Sequence, residues 1–261
     1  AAVGDKVDYT IHGTIPSYGA QFENPVYKIT DTITNAKYAS DITVTIGGEK
    51  ATAGTDYTIT GGNAEDSNFE ISFTNVGAYY NKTDVERAVV ITYKAEILAS
   101  ATSIDPAKNT AKLTYSNKPG STKDATEKKT YTYTFELDDE FTKVDENGNP
   151  LDDCTFTLTN KNTKKVYTCT TKNVDGKAKI HFEGLDAGEY TLVETVAKDG
   201  YSINNTKYTV VITPEYNTDG TLKSKTITID GKTDKVVVRN TKISALPSTG
   251  GIGTTIFTIA G

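Results

Sequence analysis

The sequence predicts an all-β protein of two tandem immunoglobulin-like β-sandwich domains. Three observations carry that expectation. Apolar and polar residues alternate with a period of two in run after run, the signature of strands with one buried face. The chain holds 45 Thr and 16 Tyr but no Met and no Trp, which fits pleated, half-exposed strands better than helices. No window carries a long amphipathic pattern, and Asp84–Ala88 is at most a helical turn. At about 150 residues per domain, 261 residues make two domains.

The runs come in order. Val7–Ile11, Ile42–Ile46 and Val89–Tyr93 alternate, as do Lys112–Tyr115 and Tyr131–Phe135. Clusters of Gly, Asn and Asp between them supply turns. The polar stretch Lys118–Lys129 then precedes a boundary near Leu137–Glu140. A fresh set follows: Phe141–Val144, Cys154–Leu158, Lys165–Cys169, Ala178–Phe182, Glu189–Glu194, Tyr208–Ile212, Lys225–Ile229 and Val236–Asn240. That many short strands in about a hundred residues read as a second sandwich. The expected domains are 1–136 and 137–243, with a tail at 244–261. No exact internal repeat is visible.

Composition removes several function classes. A net charge of −6 and a pI near 5.1 argue against a nucleic-acid partner, which needs a basic face. His12 and His181 are the only histidines, and Cys154 and Cys169 the only cysteines. No metal site, cofactor or disulfide-rich scaffold is expected from so few. Acidic residues are plentiful, yet nothing in the sequence sets two of them across a cleft as a hydrolase requires.

The tail carries Leu246-Pro247-Ser248-Thr249-Gly250, after the last strand and before the apolar stretch Ile252–Gly261. That stretch is shorter than the roughly 20 residues that span a bilayer, and reads as the start of a longer segment. The five residues resemble the sorting signal read by sortase transpeptidases of Gram-positive bacteria. The resemblance implies cleavage between Thr249 and Gly250 and transfer of the Thr249 carboxyl to an amine. Pro247 fixes φ and presents a bent, extended substrate.

Three segments of the second domain line up with a second resemblance. Phe141-Thr-Lys143-Val is a strand followed by a turn. Tyr190-Thr-Leu-Val-Glu194 ends a strand before Gly200-Tyr201. Val236-Val-Val-Arg-Asn240 is the final strand. Over residues 138–243 this resembles the collagen-adhesin B-type domain of Gram-positive pilins and adhesins. Cys154 stands where that family usually has a small residue. The resemblance implies an intramolecular isopeptide bond, in which the Lys143 amine joins the Asn240 side-chain carbonyl and ammonia leaves, assisted by Glu194. The physics is coherent. Burial disfavours the lysine charge and leaves a nucleophilic amine. A carboxyl in the same dry surroundings can polarise the amide and move protons. Folding makes the encounter unimolecular. The reaction occurs once per molecule, so no turnover is expected.

In the first domain, Val3–Ile11, Ile15-Pro16 and Tyr27–Ile33 resemble the opening of a pilin backbone domain of the collagen-adhesin A type. Ile91–Ala95 and Asn109–Asn117 resemble its later strands. The resemblance makes Asp31 the assisting acid and Asn117 the carbonyl donor, with the lysine partner upstream of residue 1. Lys6 is out of place for that role.

Other residues carry blander readings. Cys154 and Cys169 are expected as free, buried thiols flanking a hairpin, although an exported protein could bond them. Asp145–Asn149 is a hairpin turn rather than a calcium loop, lacking the remaining ligands. His181 alternates with Ile180 and Phe182 and should face solvent. Asn81-Lys-Thr83 and Asn204-Asn-Thr206 match a glycosylation acceptor pattern, discounted for a bacterial wall protein. The resulting expectation is a structural pilus subunit, extracellular and cell-wall-anchored. Its partners would be sortase and other pilin subunits or the peptidoglycan cross-bridge. The alternative is a wall-anchored adhesin that holds a host surface ligand through loops such as Phe22–Tyr27 and Gly77–Lys82.

Overall fold

The computed structural model describes residues 1–125 and 127–244. Strands dominate it, and the one helical element among these residues is a 3-10 turn at Val76–Tyr79. At Asp84–Arg87 the chain forms turns, closed by the Arg87 N–H on the Thr83 carbonyl. The Glu86 carboxylate accepts from the Thr83 N–H and hydroxyl.

The buried apolar residues form two large clusters, one drawn from residues 15–95 and one from residues 133–238. Two antiparallel sheets enclose the first. In one, Ala88–Ile97 lies between Lys6–Thr14 and Thr43–Ile46 and also pairs with Ala36–Tyr38. In the other, Tyr27–Thr34 lies between Ala107–Lys118 and Asn68–Phe73, and Tyr57–Gly61 closes the edge. Burial alternates along Tyr27–Thr34, so Tyr27, Ile29, Asp31 and Ile33 face inward. A fixed period of two therefore carries one carboxylate into an apolar core.

The second cluster lies under a five-stranded antiparallel sheet ordered Val166–Thr170, Thr155–Asn160, Gly188–Val196, Tyr208–Tyr216, Leu222–Ile229. Two short pairs also contribute buried residues to the cluster. Phe135–Leu137 pairs with Phe182–Leu185, and Phe141–Val144 runs parallel to Val236–Arg239. That parallel pair sets the strand after Phe135–Leu137 edge to edge with the last strand of the second cluster. Lys143 stands opposite Val238 in its register.

Several expectations shift in detail. The run Tyr131–Phe135 is two strands, Lys128–Thr132 and Phe135–Leu137, because the chain passes there from one cluster to the other. Thr134 marks the passage, its hydroxyl donating to the Ala101 carbonyl at 2.5 Å. The run Ala178–Phe182 is likewise broken, with Lys177–Ala178 and Phe182–Leu185 pairing different partners. Tyr57–Gly61 and Asn68–Phe73 were not singled out from the sequence. Gly61 shows why that hairpin is tight. Its φ is +73°, and a Cβ there would meet the Asn68 carbonyl oxygen at 2.3 Å.

Candidate functional site

The second cluster ends its apolar faces in polar residues. Phe141 and Lys143 share one face of their strand. Tyr190, Leu192 and Glu194 share another, and Val238 and Asn240 alternate inward on the last. In each case the period that buries the hydrophobes buries the polar residue that follows them. Lys143 is 0% exposed, Glu194 6% and Asn240 2%. Charged side chains are almost never this deep unless paired.

Glu194 is the hub. Its Oε1 accepts from Asn240 Nδ2 at 2.7 Å and lies 4.0 Å from Lys143 Nζ. Its Oε2 accepts the Asn204 backbone N–H at 2.7 Å. Lys143 Nζ also donates to the Val238 carbonyl at 3.3 Å. Asn240 is held at its backbone by its N–H on the Val144 carbonyl, while its Oδ1 is buried without a hydrogen-bond partner. Desolvation dominates at Lys143 and pulls its ammonium pKa below the ordinary value, with the Glu194 charge opposing. The structure thus brings together the three residues singled out from the sequence. It sets an amine whose charge is disfavoured, a carboxyl group and a carboxamide in one pocket closed to solvent. An amine in that state can attack a carbonyl carbon, and the carboxyl can carry protons between the two nitrogens.

The first cluster holds a comparable arrangement with a correction. Asp31 is fully buried. Its Oδ2 accepts from the Tyr38 and Tyr93 hydroxyls, both at 2.9 Å, and its Oδ1 accepts from Asn109 Nδ2 at 2.8 Å. Asn117 is not there. It is exposed near the far end of the same strand. Asp31 stands opposite Ala111, so Asn117 lies six residues, about 20 Å, along the strand. The residue that meets Asp31 is Asn109, 5% exposed. Its sequence signal was its place two residues after the buried Ala107, on the same face. Lys6 is exposed and pairs with Glu96, away from Asp31.

Burial raises the Asp31 carboxyl pKa despite its three donors. The folded state therefore holds the proton to higher pH than the unfolded chain does. The stability this site contributes is greatest below the ordinary carboxyl range and declines as pH rises through the raised folded value. The stability gap between wild type and Asp31→Ala, measured by urea unfolding from about pH 3 to pH 7, should narrow as pH rises. A gap that widened with pH would contradict this assignment.

The remaining residues have structural roles. Both cysteines are free, Cys154 buried and Cys169 half-buried. Cys169 faces Phe156, not Cys154, across the ladder, which sets the two thiols out of pairing register. Asp145 accepts from the backbone N–H groups of Asn147 and Asn149, closing a turn. His181 is exposed beside Asp138. The loops after Tyr18 and before Tyr79 meet. Phe22, Asn24 and Pro25 line a cavity of about 320 Å³ with Asn75, Val76 and Gly77. Leu246, Pro247, Ser248, Thr249 and Gly250 lie outside the described residues.

Comparisons with known proteins bear on this geometry. Residues 138–230 match the SpaA family, described as a prealbumin-like fold domain. The match spans the Lys143 and Glu194 strands and stops short of Asn240. No curated protein sequence matches the chain. Among solved structures, the T6 backbone pilin of serotype M6 Streptococcus pyogenes superposes with a TM-score of 0.66 at 19% identity, over 93% of this chain and 66% of that one. The chain therefore spans about two thirds of the T6 pilin. A C-terminal fragment of the major pilin GBS80 of Streptococcus agalactiae gives 0.64 at 18% identity, over 92% and 94%. Domains D2 and D3 of the major pilin SpaD of Corynebacterium diphtheriae give 0.56 at 19%, over 92% and 95%. The chain has the all-β fold of these pilin domains.

Proposed function

We propose that the chain is a structural subunit of a cell-wall-anchored pilus on a Gram-positive surface. It acts as a covalently braced strut and not as a turnover enzyme. Residues 1–136 and 137–243 form its two domains. The observation that carries the reading is the burial of Lys143 and Asn240 on one carboxylate at the junction of the first and last strands of the second domain. A lysine kept this dry without a stabilising purpose would be costly. Attack of its amine on the Asn240 side-chain carbonyl, with loss of ammonia, converts the liability into a bond.

In this reading Glu194 protonates the departing nitrogen and relieves the amine of its proton. The fold supplies proximity, because the parallel register holds both partners in place before any chemistry. The bond bridges strands at the two ends of the domain. Tension applied at the termini would load that covalent tie and leave most ladder hydrogen bonds unloaded. The pilin folds that the chain superposes on support the setting. The residues Leu246–Gly250 supply the junction, with sortase passing the Thr249 carboxyl to an amine of another pilin subunit or of the peptidoglycan cross-bridge.

One sample tests both halves. The intact full chain should weigh one ammonia less than its sequence requires. Incubation with a sortase and a short glycine peptide should replace residues 250–261 by that peptide on Thr249. A full-weight chain would overturn the tie, and an unprocessed tail would overturn the junction.

A second reading, an adhesin binding a host glycan or protein, is favoured by the meeting of the two loops around Phe22 and Val76. Array binding of the full chain to glycans and collagens, abolished by Phe22→Ala, would support it. Equal binding by the variant would contradict it.

A further inference from the structure

Cys154 is a buried nucleophile for which the cross-link reading has no use. It is 0% exposed. Its Sγ lies 4.0 Å from Asn240 Nδ2, within the pocket that holds Lys143 and Glu194. The thiol donates to the Asp152 carbonyl, 3.7 Å away, and the sulfur accepts from the Asn240 amide nitrogen. An independent feature points to the same centre. The Asn240 side chain is buried, and its Oδ1 accepts no hydrogen bond. Its Nδ2 is held between Glu194 and the sulfur. A thiol, a carboxyl and an amine therefore surround one primary amide. Sulfur is the strongest nucleophile of the three, and a thioester is a better acyl donor to an amine than a carboxamide is.

We propose that Cys154 is a covalent relay for the Lys143–Asn240 bond, a role that rests on the cross-link reading. Glu194 takes the thiol proton, and the sulfur adds to Asn240 Cγ. The Cγ–Nδ2 bond breaks, and the nitrogen leaves as ammonia with the proton that Glu194 held. This gives a Cys154–Asn240 thioester. The neutral Lys143 amine then adds to the same carbon, and the Cγ–Sγ bond breaks. The amine proton passes to the sulfur through Glu194. The sum is amine plus carboxamide giving amide plus ammonia. The thiol is regenerated, and no oxidant, reductant or water is consumed. Burial is the main force keeping the thiol protonated at rest. The Glu194 charge adds to it, while the Lys198 backbone N–H and the Lys143 charge oppose it. The sulfur is thereby shielded from outside electrophiles until the carboxyl takes its proton.

The test removes the amine and traps the intermediate. Full-length Lys143→Met, treated with hydroxylamine, should carry a hydroxamate at Asn240, heavier than the parent by one oxygen. Lys143→Met/Cys154→Ala should not. With Lys143 present, Cys154→Ala and the near-isosteric Cys154→Ser should lose ammonia at least about tenfold more slowly than wild type. The readout is the rise of the cross-linked fraction in freshly purified chain. Wild-type rates in both cysteine variants, with no hydroxamate in Lys143→Met, would overturn the relay while leaving the cross-link intact. Absence of ammonia loss from the wild-type chain would instead overturn the cross-link itself. In that case the hydroxylamine result still decides whether the sulfur attacks Asn240.

Discussion

With the proposed Lys143–Asn240 tie, replacing Lys143 by Met should lower the melting midpoint of the core drawn from residues 133–238 by on the order of 20 °C, because that tie is lost. Lys143 and Asn240 are separated by 97 residues. Closing a loop of that size removes about 4–5 kcal/mol of conformational freedom from the unfolded chain, by analogy with a disulfide. In a domain of about a hundred residues, each kcal/mol moves the midpoint by about 4–8 °C. Met keeps the unbranched stem in the apolar space beside Phe141 and Val238 and has no charge to desolvate. The variant thus separates the tie from the packing. Calorimetry of the full chain reads it, with the unfolding of the other core, residues 15–95, as the reference. A midpoint within a few degrees of wild type would show that no tie contributes to stability.

Glu194→Gln gives the second large effect. The glutamine keeps the shape of the side chain but only one acceptor oxygen, so it can accept from Asn240 or from the Asn204 N–H and not from both. It cannot take up and release a proton as the carboxyl does. The chain should therefore fold, keep its full sequence mass and melt no higher than Lys143→Met. It should be the less stable of the two, because Lys143 remains buried without its counter-charge. Orphaning one partner of a buried pair costs about 3–5 kcal/mol. Complete cross-linking in Glu194→Gln would show that the carboxyl only packs. The same variant should leave the unfolding of the residue 15–95 core unmoved, since the hydroxyl donors to Asp31 belong to that cluster.

The strands and their buried faces were legible in the sequence through the period of two, and the site residues through the resemblance to pilin domains. In Tyr190-Thr-Leu-Val-Glu194 and Phe141-Thr-Lys143, the buried parity of the hydrophobes extends to the next polar residue. Alternation puts each of these residues on a buried face, and the resemblance to collagen-adhesin B-type domains is what grouped them with Asn240. Asp31 was singled out by the collagen-adhesin A-type resemblance, and its place between Ile29 and Ile33 gives it their buried parity. Asn109 was missed because alternation gives a face but not a depth. Asn109 and Asn117 share parity on one long strand, and only the register with Tyr27–Thr34 decides which meets the acid. Register depends on pairing between distant segments, which no local pattern encodes. Tyr38 and Tyr93 were invisible as donors for a like reason, since each reaches Asp31 from another strand. The unbroken reading of Ala178–Phe182 failed differently. Its apolar spacing is that of one strand, but its two ends serve different partners.

Cys154 shows the opposite case. As an unusual residue at a position where small ones are common, it carried a sequence signal whose meaning depended on geometry. Only the fold sets its sulfur beside the Asn240 amide.

The most direct measurement is tandem mass spectrometry of a protease digest of the full chain. The account predicts one branched peptide, in which the segment containing Lys143 is joined through its side chain to the segment containing Asn240, with one ammonia missing. Recovery of the two segments as separate linear peptides, at full mass, from folded protein would contradict it.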